Sequence, residues 1–261
     1  MGIMKNPIFR RLSGVLAKIQ RFLAPKQGII VDTSTGVAGL KRELKILENQ
    51  LHTTDNEKIE LEKFLSDFHY RHTRELGSIL MEILRLRMIL YRVDQKKYEE
   101  AKRDEERYRK HIRIARKKPK HKLNGEEKKE LKKRFRKATL LCHPDKVSEK
   151  LKEEAEKMFI SLKKAYDLND LKKVTEILTR LEKGHYFQSV SDTVLEKELL
   201  MAKIKKLRIR IKELKEEIES IKNSYTYKEI IAIDNWDVYF REMKVKLKKE
   251  LEEIKKQIKL V

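Results

Sequence analysis

Leu141-Cys142-His143-Pro144-Asp145-Lys146 is the stretch on which the reading of this 261-residue chain turns. Pro144 lacks an amide hydrogen and restricts the residue before it, so a helix running through Leu141 must end here. Upstream, Leu131, Phe135, Ala138 and Cys142 recur at helical spacing, while Lys132, Lys133, Arg136 and Lys137 occupy the other face. Asn124, with Glu127 three residues later, is a helix-start signature. Downstream, Ser148 is placed to cap a second helix whose apolar sites are Leu151, Ala155, Phe159, Leu162, Ala165 and Tyr166. Asn169-Asp170 marks a break, and Leu171, Val174, Leu178 and Leu181 predict a third helix closed by Gly184. Residues 124–184 therefore read as an antiparallel helix pair joined by a His-Pro-Asp loop, with a short third helix after it.

Outward from this module the chain is dominated by charge and by heptads. It is 41% charged with eight Gly and four Pro, a composition of long helices rather than of a turn-rich sheet. Before the module, Leu40, Leu44, Leu47 and Leu51 step by three and four. After a polar gap at Thr53-Thr54-Asp55-Asn56 the pattern continues through Leu61, Leu65, Phe68, Leu76, Ile79, Ile83, Leu86, Leu90 and Val93. The gap reads either as a hairpin turn or as a weak heptad, and Gly77 is a second soft point. Beyond the module, Leu200, Ile204, Leu207, Ile211, Leu214, Ile218, Ile221 and Tyr225 form the cleanest heptad run. It is disturbed over 223–235 and resumes with Phe240, Leu247, Leu251, Ile254 and Ile258. Two matched stretches with a broken middle suggest an antiparallel helical hairpin, and a continuous helix with a register shift is the alternative. At the start, Ile8, Leu12, Val15, Leu16, Ile19, Phe22 and Leu23 share a helical face with Arg10, Arg11, Lys18 and Arg21 largely elsewhere. Peripheral membrane contact by residues 8–23, or docking on another helix, follows from that pattern.

The Phe135-Arg136-Lys137-Ala138-Thr139-Leu140-Leu141-Cys142-His143-Pro144-Asp145-Lys146 run resembles the second helix and loop of the J-domain, the module of DnaJ-type co-chaperones. Phe159-Ile160-Ser161-Leu162-Lys163-Lys164-Ala165-Tyr166-Asp167 resembles that family's third helix, and the residues before the loop are nearest to the auxilin-type flavour. The family's usual Tyr-Tyr-x-x-Leu-Gly signature in its first helix has no counterpart at Lys118 to Asn124. Tyr108, Ile112 and Ile114 of the preceding helix are expected to supply that packing, because Leu131, Phe135, Phe159 and Leu162 need an apolar cover; a module without a first helix is the alternative. The expected fold is all-α, a J-domain-like helical hairpin flanked by long coiled-coil helices. Its parts are a basic N-terminal segment and linker (1–39), a helical arm (40–118), the J-like module (119–185) and a C-terminal coiled-coil hairpin (186–261).

The resemblance implies a co-chaperone, not an enzyme. The module would dock on a DnaK-type (heat-shock-70) chaperone and stimulate its ATPase, using His143, Pro144, Asp145 and Lys146 of the loop and Lys132, Lys133, Arg136 and Lys137 of the basic helix. No cofactor is implied. The arms are expected to serve homo-oligomerisation through the coiled coils, pairing with each other, or the binding of a client protein not named by the sequence.

Composition bears on the alternatives. Lys and Arg number 64 against 42 Asp and Glu, a net charge of +22, which fits either an anionic partner or well-solvated helix surfaces. A basic scaffold or nucleic-acid-binding protein with a degenerate J-like segment is the competing class. Basic and acidic residues interleave along the arms, however, and no nucleic-acid-reading motif occurs, so nucleic acid is not the expected partner. Cys142 is the single cysteine, which fits a reducing cytoplasm and leaves no multi-thiol zinc site. Adjacent Cys142 and His143 cannot face each other as a nucleophilic pair. His69 and His72, three apart, read as solvated histidines rather than metal ligands. No apolar run approaches the about 20 residues that span a bilayer, and no secretory signal is expected at the start of the chain.

Overall fold

The computed structural model describes residues 36–116, 119–184, 187 and 196–260. The amphipathic segment 8–23 lies outside them. The described residues are all-α, as expected, with eight α-helices and no strand: α1 (Val37–Leu90), α2 (Gln95–Arg116), α3 (Gly125–Cys142), α4 (Glu149–Asp167), α5 (Leu171–Lys183), α6 (Lys197–Asn223), α7 (Tyr225–Ile231) and α8 (Trp236–Leu260). A single 3-10 turn, Pro144–Lys146, joins α3 to α4.

The 54-residue α1 is the spine. It passes through Thr53-Thr54-Asp55-Asn56 without a turn, so the polar gap is a feature of the helix surface rather than a reversal. The chain reverses at Tyr91–Asp94, where the Asp94 carboxylate accepts from the Lys97 amide at 3.1 Å and starts α2. α2 then returns along the C-terminal half of α1. Its buried Glu105 is held by Arg109 at 2.7 Å and Arg85 at 3.6 Å.

This return overturns one expectation. Tyr108 and Ile112 reach Gly77 of α1 and not the J-like module, and Ile114 is exposed. The missing cover comes from α1 itself, whose Ile59 joins the module's core. α2 packs too far along α1 to reach that core, whereas the middle of α1 lies directly on it.

The C-terminal segment also departs from expectation. It does not close into a hairpin; α6 and α8 instead lie along α1, one after the other and parallel to it. Ion pairs Glu43–Arg208, Glu57–Lys222, Arg71–Asp237 and Arg87–Glu250 advance together, with sequence separations of 165, 165, 166 and 163. The disturbed stretch shifts the chain without reversing it. Ser224 accepts from the Tyr227 amide at 3.2 Å to start α7, and Asn235 accepts from Asp237 at 2.8 Å to start α8. Each of α6 and α8 has one apolar stripe, and α1 offers a seam long enough for both. Leu44, Leu47 and Leu51 meet Leu200, Ile204, Leu207, Ile211 and Leu214 at one end. Phe68, Leu76, Ile79 and Ile83 meet Phe240, Leu247, Leu251 and Ile254 at the other. Burial of each such side chain contributes about 1.5–3 kcal/mol. Trp236, Tyr239 and Phe240 belong to this core, with Trp236 and Phe240 centred 5.2 and 5.3 Å from the Phe68 ring.

The J-like module is built as its sequence indicates. Asn124 and Glu127 form a reciprocal capping box at 2.9 and 2.8 Å. Ser148 stands at the N-cap of α4 but makes no side-chain capping bond, whereas Asp170 caps α5 through the Lys173 amide at 2.8 Å. Phe135 is fully buried and stacks on Tyr166 at 3.9 Å, inside a core that also holds Leu131, Leu162, Val174 and Leu178.

Candidate chaperone-docking site

Pro144 ends α3 and leaves His143 as its C-cap and as the N-cap of the 3-10 turn. The turn closes on itself. The Asp145 amide donates to His143 Nδ1 at 3.2 Å, and the Lys146 amide donates to the His143 carbonyl at 3.1 Å. Because Nδ1 accepts, the proton of the neutral ring sits on Nε2. That nitrogen points at the Asp55 carboxylate of α1, 3.5 Å away. The ring edge rests on Phe159 at 5.1 Å, and only 4% of His143 is exposed.

Asp55 is largely removed from solvent, with 13% of its side chain exposed, which by itself would raise its pKa. The His143 contact and the nearby Lys163 and Lys58 outweigh burial and hold the carboxyl below its usual range. Lys146 is 8% exposed, and its desolvation lowers its pKa; Glu48 of α1 opposes that effect and Lys45 adds to it. Asp145 faces α6, where it favours the charged forms of Lys203 and Arg210. Beside it, Lys206 of α6 meets Glu149 at 3.4 Å. The loop is therefore gripped from two sides, by α1 and by α6.

The grip continues along α3. Glu60 of α1 pairs with both Lys132 at 2.8 Å and Arg136 at 2.6 Å. Thr139, buried, donates to Asn56 at 3.1 Å and lies 3.0 Å from His52 Nε2. His52 Nε2 is also 3.2 Å from the Arg136 carbonyl and 2.9 Å from Asn56 Nδ2. Burial, with help from Lys146, lowers the His52 pKa to about 4. The remaining predicted residues point away from α1: Lys133 is exposed, and Lys137 pairs with Glu182 of α5 at 2.5 Å. The eight predicted residues thus fall into a covered group (His143, Lys146, and partly Lys132 and Arg136) and an outward group (Lys133 and Lys137). Pro144 and Asp145 are half-buried between them.

The sequence model of the DnaJ domain family matches residues 123–178, which span α3, the His-Pro-Asp turn, α4 and most of α5. Residues 123–178 are a J-domain. No curated protein matches the chain, and no solved structure does. J-domain proteins act in general as co-chaperones that stimulate heat-shock-70 ATPases and are not themselves typically enzymes. The J-domain here is a minority of the chain, flanked on one face by α1 and met at the start of α4 by α6.

His52, Asp55, Asn56 and Glu60, the residues that meet the J-domain from α1, were not singled out by sequence reasoning. Their signal was the polar gap itself. His52, Asn56, Glu60 and Lys63 recur at helical spacing and make a second stripe beside the apolar seam. Lys63 continues it by donating to Asn169 Oδ1 at 2.5 Å. Among the described residues no group of His, Cys, Asp and Glu could hold a metal, and His69 and His72 both lie against the Phe68 ring. No described helix is long and apolar enough to cross a membrane.

Proposed function

We propose that this chain is a J-domain co-chaperone that docks on a DnaK-type (heat-shock-70) chaperone and stimulates its ATP hydrolysis. The observation that carries the reading is the His-Pro-Asp turn at the end of a basic helix, inside the segment that matches the DnaJ domain. Lys132, Lys133, Arg136 and Lys137 would steer the module to an acidic surface of the chaperone. His143 and Asp145, held in shape by Pro144, would then bias the chaperone toward its hydrolysing state, which requires tighter binding to one of its states than to the other. The Arg-Lys-Ala-Thr-Leu-Leu run before the loop supports an auxilin-type variant. The arms present client proteins or join further copies, and a single buried thiol fits a cytoplasmic setting.

Steady-state ATP turnover by the purified chaperone of the same organism, titrated with the full chain to saturation, tests the proposal. Stimulation that His143→Gln abolishes is the expected result. Absence of stimulation at every concentration, for wild type and for the α1 variants described below, would refute it.

A further inference from the structure

The face of the J-domain proposed to meet the chaperone is already in use. Glu60 holds Lys132 and Arg136, Asp55 faces His143, and Lys146 is buried beside Glu48. From the other side α6 brings Lys203 and Arg210 to Asp145. Each charged residue of this set meets the charge it would need from a chaperone: carboxylates for the cations, cations for Asp145. With 4% of its surface exposed, His143 cannot be reached by another protein while α1 stays in place.

We propose that α1 is an autoinhibitory clamp whose acidic stripe imitates the acidic surface of the chaperone and must lift from α3 before the J-domain can dock. The proposal rests on the docking function argued above and concerns its regulation. The contact has the makeup of a reversible one. Around the loop and the outer half of α3 it is polar, built from ion pairs and side-chain hydrogen bonds, and the partly exposed pairs of Glu60 with Lys132 and Arg136 are individually weak. Ile59 is the sole α1 residue in the J-domain's buried core. By contrast, the seams of α1 with α6 and α8 are continuous apolar packing. The spine can therefore remain assembled while the J-domain swings away from it.

A clamp of this kind leaves maximal stimulation unchanged and raises the concentration needed to reach it, because the apparent dissociation constant is the intrinsic one divided by the open fraction. Glu60→Lys replaces two ion pairs with two repulsions, and Asp55→Ala removes the partner of His143; neither alters the J-domain itself. The half-saturating concentration in the chaperone ATPase titration is expected to fall about tenfold for Glu60→Lys, given the modest strength of each exposed pair, and further for the double variant. Glu106→Lys, an equal charge change at an exposed site on α2, should leave it unaltered. That control separates release of the clamp from general attraction to an acidic partner. His143→Gln in the Glu60→Lys background should abolish the stimulation.

Far-UV circular dichroism confirms that each variant keeps its helices. Equal half-saturating concentrations for wild type, Glu60→Lys and Asp55→Ala overturn the clamp and leave the co-chaperone function standing. An equal gain from Glu106→Lys also overturns it. No stimulation by any of these proteins overturns the co-chaperone function on which the clamp depends.

Discussion

Mild acid should loosen the hold of α1 on the J-domain, and His52 is the reason. Packed among Lys146, His143, Asp55, Asn56, Thr139 and the Arg136 carbonyl, its imidazole titrates at about 4, against an ordinary value of 6.5. A histidine whose pKa is lowered by docking stabilises the docked state fully above 6.5. That stabilisation is lost as the pH falls from 6.5 toward 4, because the released state takes up the proton first. Going from about pH 7.5 to about pH 5.5, linkage gives a loss of about 1.3 kcal/mol. His52 is partly exposed, and solvent screening on its open side trims the loss to about 0.7–1.3 kcal/mol, a three- to tenfold rise in the open fraction.

Asp55, held below its usual range, stays ionised in both states over this window and loses its own contribution only below about pH 4. Amide hydrogen exchange of the peptides spanning 50–60 and 133–146 reads the effect. Comparison with His52→Gln, which cannot titrate, removes the intrinsic pH dependence of exchange. Protection in the wild type should drop with acid relative to His52→Gln. Parallel behaviour of the two proteins between about pH 7.5 and about pH 5.5 would show that His52 carries no such linkage.

Two further outcomes concern the J-domain core. Phe135→Ala removes a fully buried ring stacked on Tyr166, and urea unfolding should show a loss of about 3–5 kcal/mol from α3–α5; a change under about 1 kcal/mol would mean that the stack is not structural. Cys142 is buried, and burial pushes its thiol up to about 12 from 9.0. Alkylation of the native protein at neutral pH should be slower by about a thousandfold than in denaturant, in proportion to the thiolate present. Rapid labelling without unfolding would place Cys142 outside the core.

The J-domain was legible because its information is local. A capping box, an apolar stripe, a helix-ending proline and a second stripe all act within one or two turns of the chain, and the structure reproduces each of them except the Ser148 side-chain cap. The arms were legible only as helices. A heptad specifies that a seam exists and which residues lie in it, so Leu200, Ile204, Leu207, Ile211, Leu214 and Ile218 are all buried as their spacing requires. Nothing in a single heptad names its partner or direction. The break at 223–235 looked like the turn of a hairpin, yet the α7 elbow only displaces the chain, and α6 and α8 share α1 in parallel.

By itself, then, the amino-acid sequence determined an all-helical architecture, the limits of the J-domain helices, the His-Pro-Asp turn and most residues of each apolar seam, although Val93 and Tyr225, which the heptad spacing placed in seams, are exposed. These follow from backbone preferences and side-chain periodicity over short spans. Only the tertiary structure decided that Ile59 completes the J-domain core and that α2 turns its apolar sites to Gly77. It also decided that the polar interruption at His52, Asp55 and Asn56 is a contact surface for α3. These outcomes depend on which stripes meet across separations such as the 83 residues between Asn56 and Thr139. Such meetings are set by the packing of whole helices against α1, and no local preference encodes them.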